Sequence, residues 1–220
     1  MYVSQIMTRE VDTASEEMKL SHAAQLMREN DRRYLPVVDA ENRLTGLFSH
    51  KHLANAEPSP ITTLSVGEVN YLTSKVTVGQ LMEKTPVTCT PETLVEVAGC
   101  LIREHKTGCL PVIDKGRMVG VISETDILDF FLDITGSALK ETTRIAVLLE
   151  DKPRSLSRFL DEISNCDGTI ATVVSPVTTD EQNRRILIVR YRAKDPAELD
   201  NHLKALGYEV VTEEFPATNS

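Results

Sequence analysis

The first two-thirds of the chain is written twice. Val3-Ser4-Gln5-Ile6-Met7 returns as Val78-Gly79-Gln80-Leu81-Met82, and Leu35-Pro36-Val37-Val38-Asp39 returns as Leu110-Pro111-Val112-Ile113-Asp114, both 75 positions later. Gly46-Leu47-Phe48-Ser49 returns as Gly120-Val121-Ile122-Ser123, 74 positions later, so one residue is lost before Gly120, where a hairpin tip tolerates it. A repeat of this length means that one supersecondary unit is used twice and that its copies bury each other's apolar faces.

Each copy reads as helix, strand, turn, strand, helix. In the first, Ser15 is the expected cap of a helix carrying Leu20, Ala23, Ala24 and Met27 at helical spacing. In the second, Thr90 is the expected cap, Pro91 takes the first helical position, and Leu94, Ala98, Leu101 and Ile102 share a face. Short apolar strands follow at 35–38 and 110–113, then at 44–48 and 118–122, and closing helices start at Ser49 and Ser123. Between the copies, Glu57-Pro58-Ser59-Pro60 reads as a loop. Ser65 with Glu68 resembles a capping box for a short helix through Val69 and Leu72, and Thr77 with Gln80 gives a second such signal.

Composition narrows the function classes. The net charge of −9, with no dense Lys/Arg run, disfavours nucleic acid and anionic membrane as partners. No apolar run approaches the roughly 18 residues of a membrane span, and the start lacks a signal-peptide pattern, so a cytoplasmic location is expected. Cys89, Cys100, Cys109 and Cys166 show neither a CxxC pair nor a framework spacing and read as reduced, mostly buried thiols.

The junction Gly120-Val121-Ile122-Ser123-Glu124-Thr125-Asp126 runs a strand into a helix N-terminus. Exposed N–H groups and the positive dipole end favour an anion there, and the hydroxyls of Ser123 and Thr125 can donate to phosphate oxygens. Asp126 can accept from both hydroxyls of a ribose, as carboxylates do in dinucleotide folds. The plainer alternative makes Ser123 a simple helix cap and Asp126 a residue favoured by the dipole. The first copy has Ser49-His50-Lys51-His52 at the same place. His52 replaces the aspartate and cannot act as a bidentate anionic acceptor, and His50-x-His52 offers two ligands, short of a metal site.

The Val-x-x-hydrophobic-Met start, the Leu-Pro-Val-hydrophobic-Asp strand and the Gly-hydrophobic-hydrophobic-Ser-x-x-Asp ending resemble the CBS family over roughly residues 1–135. That resemblance implies an α/β tandem pair, with repeat 1 at 1–60, a linker at 61–76 and repeat 2 at 77–136. It also implies an adenosine-containing ligand, AMP, ADP, ATP or S-adenosylmethionine, in the cleft between copies. By resemblance, Val121, Ser123, Thr125 and Asp126 line that site. Arg32, Arg33 and Tyr34 approach it from the first copy, the arginines toward phosphate and Tyr34 toward adenine, unless they form only a solvated turn. Ser49 and His52 mark the first site, with Gly108 and Cys109 nearby.

Residues 142–214 change pattern. A strand at Ile145–Leu149, a helix opened by Pro153, a strand at Thr169–Val174, a polar turn at 178–183, a strand at Ile186–Tyr191, a helix capped by Asp195 and ended by Gly207, and a strand at Tyr208–Val211 give βαββαβ, a ferredoxin-like α+β unit. Leu149 to Leu156 resembles the first loop of ACT domains, except that Arg154 stands where that family carries glycine, which argues for an assembly role over amino-acid binding. The module order is similar to AcuB-type acetoin-utilisation proteins. The leading expectation is a non-catalytic homodimeric sensor with a regulated enzyme as possible partner. A structural adaptor with a vestigial cleft and an enzyme of acetoin metabolism are the alternatives. No P-loop, GxGxxG or activated nucleophile supports the enzyme, and His22, His105 and His202 read as isolated helix-face residues.

Overall fold

The computed structural model describes residues 1–56 and 75–211. The short helix expected through Val69 and Leu72, with its Ser65–Glu68 capping signal, lies outside the described residues. The chain divides into two compact units, Met1–Asp129 and Phe130–Ser220.

In the first unit, helix α1 (Leu20–Glu29) precedes strands β1 (Tyr34–Val38) and β2 (Leu44–Ser49), and helix α2 (His50–Ala56) closes the copy. The second copy begins with the short helix α3 (Val78–Leu81) and repeats the series as α4 (Val95–His105), β3 (Cys109–Asp114), β4 (Arg117–Ser123) and α5 (Glu124–Ile134). Each strand pair is an antiparallel hairpin with a bulge at the matching place, between Val37 and Val38 or Val112 and Ile113. The shorter second hairpin turns on Lys115 and Gly116, both at positive φ, which is where the lost residue falls.

The copies exchange their first segments. Val3 and Met7 are buried in the core built around Ile102, Leu110 and Ile122 of the second copy, and Val78 and Met82 are buried in the core around Met27, Leu35 and Phe48 of the first. Each core therefore draws on both copies, taking in the start segment of the other. There Val3 is fully buried and Met7 nearly so, and burying such apolar side chains is stabilising. Gly46 and Gly120 admit this crossing: a Cβ on Gly120 would sit 2.7 Å from Thr8 O, and one on Gly46 would sit 2.8 Å from Glu83 O and collide with Met82 Sδ.

The exchange also moves two helix starts. Lys19 bridges Thr77, and Leu94 bridges Tyr2, so both residues are extended. The first helical amides, Leu20 N and Val95 N, donate to Val76 O and Met1 O of the opposite start segment at 3.1 Å each. Ser15 and Thr90 are thus not caps; each closes a separate turn, accepting from Met18 N and Thr93 N. Thr77 and Gln80 do form the expected capping box.

The second unit contains β5 (Thr143–Glu150), α6 (Ser155–Asn165), β6 (Thr169–Val174), β7 (Arg184–Arg192), α7 (Pro196–Ala205) and β8 (Val210–Val211). Its antiparallel sheet has the order β6-β7-β5-β8, which is the expected βαββαβ topology. Ile145, Val147, Leu187, Val189 and Tyr191 form one face with Phe159 and Ile163 of α6 and Leu199 and Leu203 of α7. Asp195 caps α7, accepting from Ala197 N and Glu198 N at 3.0 Å. Residues after α5 belong to this unit: Arg190 Nε donates to Thr135 O at 3.1 Å. His202 is not isolated, since its Nε2 lies 3.2 Å from Glu162 Oε2. Of the four cysteines only Cys89 and Cys109 are buried, while Cys100 is exposed and Cys166 half-buried.

Candidate functional site

A cleft of about 350 Å³ opens in the first unit where β4 runs into α5. Seven expected residues line it: Val121, Ser123, Thr125 and Asp126 from the second copy, with Arg32, Arg33 and Tyr34 from the first. Thr8, Glu10, Val11, Asp12, Asp31 and Cys109 complete it. The exchanged start brings Thr8 there, because Thr8 and Val121 trade backbone hydrogen bonds of 2.9 Å in both directions. In the sequence the Val-x-x-hydrophobic-Met start is a family signature and carries no sign of the cleft. Its seat on the opposite hairpin carries Thr8, Glu10, Val11 and Asp12 into the cleft.

The helix N-terminus is more committed than its sequence suggests. Ser123 donates its amide and its hydroxyl to Asp126 Oδ2, each at 2.7 Å, and Asp126 N donates to Ser123 Oγ at 3.3 Å. Glu124 N donates to Gly108 O at 3.1 Å. Three of the amides expected to greet an anion are therefore used within the protein, and the Ser123 hydroxyl is used as well. Asp126 Oδ1 faces Thr8 Oγ1 at 3.5 Å, too long for a strong bond, and retains its capacity to accept a ligand hydroxyl. The two oxygens of the carboxylate are used differently: Oδ2 caps the helix and Oδ1 faces Thr8 at the cleft.

The cationic and hydroxyl groups at the cleft are side chains. Arg33 Nη2 donates to Thr125 Oγ1 at 3.1 Å, and Arg32 Nε donates to Asp12 Oδ2 at 2.9 Å. Tyr34 lies against Gly108 so closely that a Cβ there would collide with the phenol, and burial, followed by the nearby Glu124, raises its pKa. Cys109, expected beside the first copy's site, instead lines this cleft. Burial and the neighbouring Asp126 push its thiol up to about 12, so it is neutral at physiological pH.

Ser49 and His52 do not line this cleft. They occupy the equivalent junction of β2 and α2, where Ser49 N donates to His52 Nδ1 at 3.1 Å. His52 thus takes over the capping half of Asp126's work. Glu83 stands where Thr8 stands in the other copy, trading backbone bonds of 2.9 and 3.0 Å with Leu47. The carboxylate has changed walls between the two junctions. Burial lowers the pKa of His52, and Glu83 opposes that shift in part. Its Nδ1 is spent on Ser49, and among the described residues no group of three metal-ligating side chains converges. No helix among the described residues is long and apolar enough to cross a membrane.

The sequence model of the CBS domain matches residues 3–59 and 78–133. A CBS domain-containing protein of Dictyostelium discoideum is 29% identical over 133 residues, covering 60% of this chain and 92% of that protein. The homoserine O-acetyltransferase of Methanococcus vannielii is 29% identical over 126 residues, 57% of this chain but only 24% of the enzyme. Among solved structures, a Vibrio cholerae protein assigned to acetoin utilization (AcuB) superposes with a TM-score of 0.53 at 25% identity, covering 64% of this chain and 98% of its own. CBSX2 of Arabidopsis thaliana, solved in complex with AMP, superposes with a TM-score of 0.51 at 27% identity, covering 60% and 97%.

Proposed function

Because this chain belongs to the CBS domain family, we propose that it is a non-catalytic regulatory protein that takes an adenosine-containing ligand into the cleft at Asp126. The observation that carries the reading is the convergence, in one cavity, of a carboxylate oxygen still able to accept, a hydroxyl, a guanidinium and a tyrosine ring. Asp126 Oδ1 would accept from a ribose hydroxyl, Arg33 and Thr125 would hold a phosphate, and Tyr34 would border the base. The likeness to the AMP complex of CBSX2 supports the same ligand class, which comprises AMP, ADP, ATP and S-adenosylmethionine. Ser49 and His52 would form a junction without a ribose carboxylate, so one ligand per chain is the stoichiometry.

The second unit, with its βαββαβ topology and a loop similar to the first loop of ACT domains, would pass the ligand state to a second copy of the chain or to a regulated enzyme in the cytoplasm. Acetyltransferase chemistry is not part of this reading. The likeness to the homoserine enzymes lies in their CBS region and leaves most of their length unmatched. The structural-adaptor alternative keeps the architecture and gives up the ligand. A melting-temperature screen with AMP, ADP, ATP and S-adenosylmethionine separates the two: a ligand at 100 times its Kd stabilises the folded state by about 2.7 kcal/mol. Absence of any shift across the panel leaves the adaptor.

A further inference from the structure

The cleft holds two arginines, but they are not equivalent. Arg32 is paired with Asp12 at 2.9 Å, so its charge is answered within the protein. Arg33 bonds the neutral hydroxyl of Thr125 at 3.1 Å, and among the described residues no carboxylate pairs with it. One uncompensated cation beside one hydroxyl fits a single phosphate, with the guanidinium supplying its remaining donors and Thr125 its proton. Beyond them the lining is acidic. Glu10, Asp12, Asp31 and Asp126 stand against Arg32 and Arg33, four negative groups to two positive, a net of −2. Each further phosphate would bring more negative charge within a Debye length of these carboxylates.

Resting on the nucleotide reading above, we infer that the cleft selects a nucleoside monophosphate over di- and triphosphates, and that Asp12 sets this selectivity by sequestering Arg32. Asp12 is a specificity-determining residue and Arg33 the phosphate reader. Removing the Asp12 charge releases a second cation where a β- or γ-phosphate can use it.

The test is calorimetric titration of the full chain with adenosine, AMP, ADP and ATP at fixed ionic strength, without magnesium. AMP should bind at least about ten-fold more tightly than ATP, the equivalent of one extra unfavourable charge contact. Asp12→Asn should narrow the AMP-to-ATP ratio by about five-fold or more, and the charge-balanced double variant Asp12→Asn with Arg32→Gln should leave AMP affinity within about two-fold, because it removes a pair whose charges already answer each other. Arg33→Ala should bring AMP down to the affinity of adenosine. ATP binding as tightly as AMP overturns the inference. So does an unchanged ratio in Asp12→Asn or, if that variant fails to fold, in Asp12→Ser, which removes the same charge. If no adenine compound binds the wild-type chain, the nucleotide reading itself falls, which is a different result from binding without discrimination.

Discussion

Ser123 and Asp126 are joined by three hydrogen bonds, with the serine amide and hydroxyl both on Oδ2, so that a single carboxylate caps α5 and faces the cleft. The two jobs separate by substitution. Asp126→Ala should weaken adenine-nucleotide binding by about 1–3 kcal/mol, the range for leaving a charged hydrogen bond unmade. It should also lower stability by about 0.5–2 kcal/mol through the lost cap. Asp126→Asn keeps an oxygen for the cap and loses the anionic acceptor, so its melting temperature should stay near wild type while affinity falls. Calorimetry on both variants checks this, and undiminished affinity in Asp126→Ala would remove Asp126 from the site.

His52 makes the first junction sensitive to pH. Its Nδ1 must be unprotonated to accept from Ser49 N, and burial holds its pKa below the ordinary 6.5. The unfolded chain therefore binds the proton more readily than the folded one. The stabilisation from this cap is complete above pH 6.5 and is lost as the pH falls from there through the folded-state value. His52→Gln should flatten that part of the stability profile. His52→Asp alone would set a carboxylate beside Glu83, so the conservative transplant is His52→Asp with Glu83→Thr, which copies Asp126 and Thr8. Chemical denaturation between pH 5 and 8 should show the wild-type slope abolished in the double variant.

The exchange of start segments makes two glycines indispensable. Gly120→Ala would drive a methyl into Thr8 O, a backbone atom that cannot swing aside, and Gly46→Ala would meet both Glu83 O and Met82. Each should cost about 1–3 kcal/mol, the usual range for overpacking. The changes act on both copies, because each glycine holds the other copy's segment. A single cooperative unfolding transition for residues 1–129, shifted by either substitution, is the expected calorimetric result. Independent melting of two halves would contradict the shared cores.

Local features were legible wherever one residue's neighbours in sequence decide its structure. The paired hairpins, the capping box at Thr77, the Asp195 cap and the order of the last six elements all follow from periodicity and turn chemistry. What was not legible depends on contacts at long separation. Nothing within residues 15–20 says that Lys19 will bridge Thr77 and delay α1, or that Val3 will leave its own copy. The site was readable to the same extent. Val121, Ser123, Thr125 and Asp126 are marked by motif and Arg32, Arg33 and Tyr34 by the family resemblance, whereas Thr8 and Asp12 enter only through the exchange. The sequence likewise could not say that Ser123 and its amide were already taken, since a capping residue and a ligand-binding residue have the same composition.

Arg154 explains why its position calls for glycine. It sits at φ 73°, ψ −3°, in the left-handed region, just before α6, where a side chain costs about 1–2 kcal/mol and glycine almost nothing. Its carbonyl still accepts from Arg158 N at 3.0 Å and from Ser157 Oγ at 3.2 Å, so the turn is held by backbone geometry that any residue can supply. Arg154→Gly should therefore stabilise the second unit, by less than the full relief because glycine also gains freedom in the unfolded chain; about 0.5–1 kcal/mol is the net scale. Arg154→Ala keeps the Cβ and should give no such gain. The comparison is made by denaturant titration at equal m-value, and a glycine variant no more stable than the alanine variant would show that the left-handed strain is relieved elsewhere in the loop.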